Sequence, residues 1–202
     1  MVQKITSILF TALILFSCKE NQKQLPILGE RFYDAELKDT VYHTIDKILL
    51  EDKNGQRFDY SKMEGKPYVA DFFFTSCPSM CPIMATQMKR IQSKVGNKIN
   101  LLSISIDYKR DTPERMQHYI EKSHIDTTNW FFLRGTKEQL SEIGEYGFFT
   151  AFGEDEAAPG GYYHASYFYL IDTKKRIRGI YDGMVEEDVD KLINDIEILL
   201  NE

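Results

Sequence analysis

Residues 68–82 read YVADFFFTSCPSMCP, a nearly continuous apolar run that leads into a proline-containing loop with two cysteines. An apolar run of this length, bounded by turn residues, is typical of a central strand covered on both faces. Pro82 suits the first position of a helix, and apolar residues recur at helical spacing from there to about Val95. The segment therefore predicts a buried strand, a loop with two thiols and a helix.

Strands and helices alternate along the rest of the chain. The patterns predict strands at 45–50, 99–106 and 130–133, and helices at 113–123 and 136–144. After a long loop over 147–163, they predict a hairpin of 166–171 with 177–181 and a last helix at 186–200. This order indicates an α/β fold, with a thioredoxin-like mixed sheet flanked by helices.

The amino terminus has the composition of a secretory signal. Lys4 precedes an apolar run from Ile5 to Phe16, which is short for a bilayer span of about 20 residues. Ser17 directly before Cys18 resembles the lipobox of bacterial lipoproteins, in which the cysteine becomes the lipid-bearing first residue. We therefore expect lipidation of Cys18, with an uncleaved signal anchor as the alternative.

These features predict three regions: a lipoprotein-type signal peptide over 1–18, a tether over 19–41 and a thioredoxin-like domain over 42–202. The protein is then an extracytoplasmic, membrane-anchored lipoprotein on the periplasmic side, in a compartment where thiols tend to be oxidised. The formal net charge of -6 argues against nucleic acid as a partner, because nucleic acid requires a basic surface.

Of the three cysteines, Cys18 is assigned to the lipid, which leaves Cys77 and Cys81. A disulfide across so small a loop removes little chain entropy, which argues against a structural staple. The two thiols can chelate a soft metal, form a disulfide or do both. Cys81 precedes Pro82, so we expect it to cap the helix, whose amino terminus should make one thiol unusually acidic.

A histidine is the natural third ligand. His43, His118 and His124 fit solvated surface positions, whereas His164 directly precedes the strand predicted from Ser166. In a thioredoxin-like fold the segment entering that strand faces the cysteine loop. Two thiolates and one imidazole suit Cu(I), and Cu(II) with a further weak ligand. Zinc accepts the same ligands, but structural zinc usually takes four protein ligands.

Several short segments match a known pattern, namely Asp71–Pro82, Ser105-Ile106-Asp107, Arg110-Asp111-Thr112-Pro113, His164-Ala165-Ser166 and Arg178–Gly183. Over roughly 45–196 the chain resembles the SCO/SenC family, which are membrane-tethered, thioredoxin-like copper proteins linked to cytochrome c oxidase assembly. The resemblance implies that Cys77, Cys81 and His164 bind copper. It also implies that Asp107 lies behind the metal ligands or contacts a partner; a turn or helix-capping aspartate is the alternative.

Asp71 lies in the predicted buried strand, six residues before Cys77. Thioredoxins place an aspartate at that offset, where it helps to move a proton during disulfide exchange, and burial raises the pKa of such a carboxyl group. The alternative is a hydrogen-bonded strand residue. Met84 fits the core and Met80 an exposed contact position. The acidic patch 154–156 fits a solvated loop, or a surface for a basic partner.

We therefore expect a copper-binding assembly factor rather than an enzyme. It would deliver copper to, or maintain the copper-site thiols of, cytochrome c oxidase or another cuproprotein, and a thiol reductant would keep its cysteines open. The alternatives are a thiol:disulfide oxidoreductase, with Cys77 and Cys81 as redox pair and Asp71 as proton acceptor, and a copper or redox sensor. The CxxxC spacing and His164 favour copper, because dedicated oxidoreductases use CxxC.

Overall fold

The computed structural model describes residues 24–46 and 48–202, so the predicted signal peptide and Cys18 lie outside the described residues. The strands, numbered along the described chain, are β1 (Arg31–Asp34), β2 (Asp39–Tyr42), β3 (Glu51–Asp52), β4 (Tyr68–Phe73), β5 (Asn100–Ser105), β6 (Trp130–Arg134), β7 (Phe152–Glu154), β8 (Tyr162–His164), β9 (Tyr167–Ile171) and β10 (Ile177–Asp182). The α-helices are α1 (Met80–Val95), α2 (Pro113–Lys122), α3 (Lys137–Glu142) and α4 (Glu186–Leu200). Within the described residues, none of these helices is both long and apolar enough to cross a bilayer.

Six strands form the central sheet, in the order β10-β9-β4-β5-β6-β3. Neighbours β4, β5 and β6 run parallel, whereas β9 is antiparallel to β4, β10 to β9 and β3 to β6. Every residue of β4 and β5 is buried, because both faces of the sheet are covered. This mixed, helix-flanked sheet confirms the predicted thioredoxin-like class.

The two faces of the sheet carry different layers. On one face, Phe73 of β4 packs against Tyr119 of α2. On the other, the adjacent Phe72 packs edge-on against Phe148, which follows α3. Consecutive side chains of a strand point to opposite faces of the sheet, so Phe72 and Phe73 pack into the two opposite layers of the core.

The first turn of α1 differs from the expected one. The helix begins at Met80, two residues before Pro82, and Ser79 is its N-cap. The prediction that Cys81 caps the helix is therefore wrong: Cys81 is the second helical residue. The helix tolerates Pro82 in its first turn because the first four amides of a helix have no partner within it.

Two predicted segments differ from the structure. Of the expected strand at 45–50, the described residues 45–46 and 48–50 form no strand, although Ile45, Ile48 and Leu50 are buried. The Ile45 amide instead donates to the Lys175 carbonyl in the turn between β9 and β10. The expected loop over 147–163 contains β7 and most of the antiparallel β8, short strands whose pattern is too brief to be read from sequence.

The described part of the predicted tether is packed against the domain. Leu25 is buried, and its amide donates to the Glu202 carboxylate. The Leu28 amide donates to the Ile177 carbonyl of β10 at 2.8 Å. Strands β1 and β2 then form a separate hairpin. The predicted tether is therefore ordered from Leu25: Leu25 and Leu28 bond to the domain, and β1 and β2 bond to each other.

Arg178 holds this amino-terminal segment. Its side chain is 4 % exposed and donates to the carbonyls of Leu25 at 2.6 Å and Pro26 at 2.9 Å. The same guanidinium pairs with Asp172 at 3.2 Å and with Glu202 at 2.7 Å. A buried guanidinium requires such complete pairing, since an unpaired buried charge is costly.

Replacing Arg178 by Ala should lower the free energy of unfolding by about 3 kcal/mol, because it leaves the buried Asp172 carboxylate and two carbonyls with fewer partners. Urea unfolding of the reduced protein measures the change. The control is Arg90→Ala, which removes an ion pair with the more exposed Asp190 and should cost less than about 1 kcal/mol. Equal, small losses in both variants would contradict the role of Arg178.

Candidate metal centre

Three segments meet at one edge of the central sheet. Cys77 lies in the loop after β4, Cys81 in the first turn of α1, and His164 at the end of β8. Because β4 and β9 are antiparallel, the end of β4 and the start of β9 share this edge. The histidine just before β9 is thereby brought to the cysteine loop, as expected from the sequence.

The ligand atoms of Cys77, Cys81 and His164 all lie within 4.8 Å of one another. The Sγ of Cys81 is 3.6 Å from Nε2 of His164. A metal about 2.3 Å from each donor in a trigonal plane sets those donors about 4 Å apart. The donor set and its spacing therefore fit a soft metal ion, and no other group of three His, Cys, Asp or Glu side chains in the described chain is so arranged.

The three ligands differ in their access to solvent. Cys81 is 2 % exposed and His164 is 9 % exposed, whereas Cys77 is only partly buried. The Phe74 ring packs edge-on against the His164 ring, with centroids 5.8 Å apart. A metal or a partner thiol therefore reaches the site from the side of Cys77.

The tautomer of His164 is fixed by its backbone contact. Its Nδ1 lies 2.9 Å from the Ala165 carbonyl oxygen. A carbonyl only accepts hydrogen bonds, so Nδ1 carries a proton, and Nε2 is the ring nitrogen that faces the cysteines. Such a contact from the distal nitrogen also orients metal-binding histidines, so Nε2 is placed as the ligand atom.

In the metal-free protein, the pKa values of the two thiols are shifted in opposite directions. A hydrogen bond from the Cys81 thiol, together with contacts to His164 and to the backbone amides of Cys81 and Ser79, lowers the pKa of Cys77 to about 3. The same hydrogen bond, and then burial, raises the pKa of Cys81. The thiolate therefore resides on the more accessible cysteine, and a metal that binds both sulfurs displaces a proton from Cys81.

Asp71 is buried in β4 and accepts a hydrogen bond from Ser103 at 2.5 Å. The Ser103 hydroxyl in turn accepts from the Trp130 indole at 2.9 Å. Burial raises the pKa of Asp71 to about 6, although the Ser103 bond opposes the shift. Both expected properties, the hydrogen bond and the raised pKa, are present; the role in proton transfer stays a prediction.

Asp107 is fully buried two residues after β5. Its carboxylate accepts from the backbone amide of Arg110 at 3.0 Å and pairs with the Arg110 guanidinium. These contacts are those of a turn aspartate. Through Arg110, which donates to the Gly160 carbonyl, Asp107 is also connected to the segment that carries His164.

The remaining histidines lie apart from this cluster. His118 and His124 are exposed, as expected. His43 is instead partly buried: its Nε2 lies 2.8 Å from the Gly147 carbonyl and its ring contacts Phe149. The surface prediction for His43 is wrong because an aromatic neighbour covers the ring.

Neither methionine of this region is exposed, whereas Glu154 of the acidic patch is. Met84 is in the core, as predicted, and Met80 is partly buried. Glu154 of the acidic patch is exposed and pairs with Lys109 at 2.5 Å. The Glu154 carboxylate is therefore already paired with a cation of the same chain.

Sequence reasoning assigned no role at the site to Asp111. Its carboxylate accepts from both the amide and the hydroxyl of Thr75, in the cysteine loop. One feature of the sequence could have indicated this role: Asp111 lies in an Asp-Thr-Pro helix start that follows a buried strand. Because that strand, β5, runs parallel to β4, the segment after it lies beside the end of β4. Thr112, not Asp111, is the residue that caps α2, so the helix start by itself gave Asp111 no role.

A family model described as SCO1/SenC matches residues 40–201 of the chain. Among solved structures, a SCO1/SenC family lipoprotein from Bacillus anthracis is similar, with a TM-score of 0.68 and 29% identity, covering 74% of this chain and 90% of that one.

Two further structures share the fold at lower identity. BsSco, described as a member of the Sco family of cytochrome c oxidase assembly proteins with a disulfide switch, has a TM-score of 0.69 at 23% identity and covers 78% of this chain and 94% of its own. Yeast Sco1 with copper bound has a TM-score of 0.61 at 22% identity and covers 85% and 90% of the two chains.

Asp71 should make stability pH-dependent. Its folded pKa of about 6 exceeds the unfolded value, so the native state holds the proton more tightly. Stability therefore falls as the pH rises from about 4 to about 6, by about 3 kcal/mol for this group. Asn does not titrate, so Asp71→Asn should remove this pH dependence. Measured by urea unfolding of the reduced, metal-free protein, the free energy of unfolding of Asp71→Asn relative to that of the wild type should increase between pH 4 and pH 7. Parallel pH profiles would rule out the raised pKa.

Proposed function

The chain belongs to the SCO1/SenC family, and we propose that it is a copper-binding assembly factor acting on cytochrome c oxidase. It delivers copper to the oxidase or another cuproprotein, or maintains the thiols of the receiving copper site. Copper is thus cargo, and the protein is a metallochaperone rather than an enzyme.

The observation that carries this proposal is the convergence of Cys77, Cys81 and His164, whose ligand atoms lie within 4.8 Å of one another. Two sulfurs and one imidazole are soft donors and suit Cu(I). With three protein ligands rather than the four of most structural zinc sites, the site stays open for transfer. The exposed side of Cys77 supports this, because a recipient needs access to the metal.

The redox state of the cysteines gates copper binding in this proposal. Oxidation joins the Cys77 and Cys81 sulfurs, with loss of two electrons and of the remaining thiol proton, and removes both thiolate ligands. In an oxidising compartment a thiol reductant must return two electrons to reopen the pair. The reductant and the copper-receiving subunit of the oxidase are the expected partners.

A thiol:disulfide oxidoreductase is the second candidate, favoured by one observation. Asp71 is buried, with its pKa raised to about 6, and so is able to exchange a proton near neutral pH. The Cys77 thiolate would then attack a partner disulfide, and Asp71 would accept the proton of Cys81. A copper or redox sensor uses the same residues and differs in its downstream partner.

The predicted location rests on the amino terminus. We propose that residues 1–18 are a lipoprotein-type signal peptide and that Cys18 bears the lipid on the extracytoplasmic side of the membrane. The similar Bacillus anthracis protein is described as a lipoprotein, which supports the proposal. From Leu25 onward, the predicted tether is attached to the domain.

Reduced protein should bind one copper ion per chain in an anaerobic titration. Cys77→Ala and Cys81→Ala should abolish tight binding, because each removes a thiolate ligand. His164→Ala should weaken binding and alter the Cu(II) absorption spectrum. His118→Ala, at an exposed histidine, is the control and should bind as the wild type does. Stoichiometric tight binding by Cys77→Ala would refute the site.

His164 and Asp71 separate the two candidate functions. Disulfide exchange needs two thiols and a proton path but no imidazole, whereas copper needs the third donor. His164→Ala should lose oxidase assembly at limiting copper while its cysteine pair still oxidises and reduces reversibly. Asp71→Ala should show the opposite pattern, with slowed thiol exchange. Full oxidase assembly in His164→Ala, together with its loss in Asp71→Ala, would favour the oxidoreductase.

Cys18→Ser should block labelling of the protein by a radiolabelled fatty acid, because serine lacks the thiol that is modified. The precursor should stay unprocessed, or the protein should leave the membrane fraction. Unchanged labelling in Cys18→Ser would exclude lipidation at this residue; Cys77→Ser is the control and should be labelled normally.

A further inference from the structure

We propose that the turn after β5 positions both metal-binding segments without donating a ligand. This turn, which we call the brace, comprises Asp107, Arg110 and Asp111. Asp111 holds the loop that carries Cys77, and Arg110, held by Asp107, holds the segment that leads to His164. The inference rests on the copper site proposed above and names residues that set its geometry.

The first arm of the brace is Asp111, which is 0 % exposed. Its carboxylate accepts from the Thr75 amide at 3.0 Å and the Thr75 hydroxyl at 2.5 Å. The Ser105 hydroxyl, at the end of β5, donates to it at 2.5 Å. These three bonds join the cysteine loop to the rigid central sheet, two residues before Cys77.

Burial of this carboxylate is costly unless its hydrogen bonds are complete. The start of α2 does not require it, because Thr112 caps that helix through the Arg115 amide. Its side-chain hydrogen bonds run instead to Ser105 of the sheet and to Thr75. The contacts of Asp111 therefore fit the positioning of the loop better than the capping of its own helix.

Arg115 reinforces the same arm from the solvent side. Its guanidinium donates to the Thr75 hydroxyl at 2.9 Å and to the Ser76 hydroxyl at 2.7 Å. The Thr75 hydroxyl thus accepts from Arg115 and donates to Asp111. Both residues that directly precede Cys77 are consequently held by side chains of the turn and of α2.

The second arm is Arg110. Its guanidinium pairs with the buried Asp107 and donates to the Gly160 carbonyl at 2.5 Å. Its guanidinium also lies 5.3 Å from the centre of the Tyr162 ring. Gly160 and Tyr162 belong to the segment that enters β8 and ends on His164.

The two ligand segments also touch each other at Gly160. This residue has a φ of +83°, and a Cβ built on it would lie 2.7 Å from the Phe74 ring and 3.0 Å from the Ser76 carbonyl. Only glycine fits this conformation and this close approach. The brace therefore fixes, from outside, two segments that are already packed together.

Hydrogen-bonded groups behind metal ligands typically change metal affinity by about 10- to 100-fold when removed. In the full chain, Asp111→Ala should therefore weaken Cu(I) binding by at least about tenfold, and shift the Cu(II)–thiolate absorption bands. The matched control is Asp195→Ala. Asp195 is also buried and accepts from Tyr181, but its bond joins α4 to β10 and should leave copper affinity unchanged.

Thr75 provides a milder test, in case Asp111→Ala fails to fold. Thr75→Val keeps the shape and the amide donor but removes the hydroxyl that joins Asp111 to Arg115. Thr75→Ser keeps the hydroxyl. The valine variant should lose copper affinity, and the serine variant should bind as the wild type does.

Arg110→Ala tests the second arm and should weaken copper binding by about tenfold, because Gly160 loses its anchor. Lys109→Ala is the control, since Lys109 is an adjacent exposed cation that pairs with Glu154. It should leave the affinity unchanged.

Amide hydrogen exchange of the reduced, metal-free chain separates this inference from the proposed function. Asp111→Ala should speed exchange in 75–81, and Arg110→Ala in 159–164, whether or not the wild type binds copper. If the wild type binds no copper, the proposed function fails and the exchange pattern alone decides the brace. The brace is overturned if the wild type binds copper and Asp111→Ala, Thr75→Val and Arg110→Ala bind it equally well. It is also overturned if exchange in both segments is unchanged in the variants.

Discussion

The antiparallel pairing of β4 with β9 is the constraint on which the rest of the molecule depends. It places the end of β4 and the start of β9 at the same edge of the sheet, although Cys81 and His164 are 83 residues apart. If the two strands were parallel, the end of β4 and the start of β9 would lie at opposite ends of the sheet, a strand length apart. The loop after β4 and the turn before β9 consequently face each other, and their donor atoms converge.

Convergence alone does not make a site; the donors must also be in the right chemical state. His164 is held by the Ala165 carbonyl through Nδ1, so that Nε2 faces the cysteines. The hydrogen bond between the cysteines places the negative charge on Cys77 and the proton on Cys81. The accessible sulfur is therefore the nucleophilic one, while the inner sulfur and the imidazole are shielded. This asymmetry suits a site that must both receive and release a metal.

Buried charges are concentrated at the two ends of the sheet and serve different purposes there. At the ligand end, Asp107 and Asp111 connect irregular segments to β5. At the opposite end, Arg178 and Asp172 hold the segment at Leu25, close to where Ile171 pairs with the first residue of β4. A chain that enters the domain at Leu25 therefore arrives at the edge remote from the ligands, so attachment there leaves the ligand edge unobstructed.

Local sequence was sufficient to predict the elements whose patterns are long and regular. The apolar run before Cys77 indicated a covered strand, which β4 is, and residues 186–200 form the predicted helix. Hydrophobic patterns over many residues are determined locally. The family resemblance added the ligands themselves. Tertiary structure alone decided the rest. The pattern at 45–50 indicated a strand, yet Ile45, Ile48 and Leu50 bury their side chains outside any strand of the sheet. Asp111 lies in the sequence of a helix start, yet its carboxylate binds Thr75, 36 residues earlier in the chain. Such choices depend on which hydrogen-bond partner lies nearest once the sheet has formed, and that distance is a property of the folded chain rather than of any segment within it.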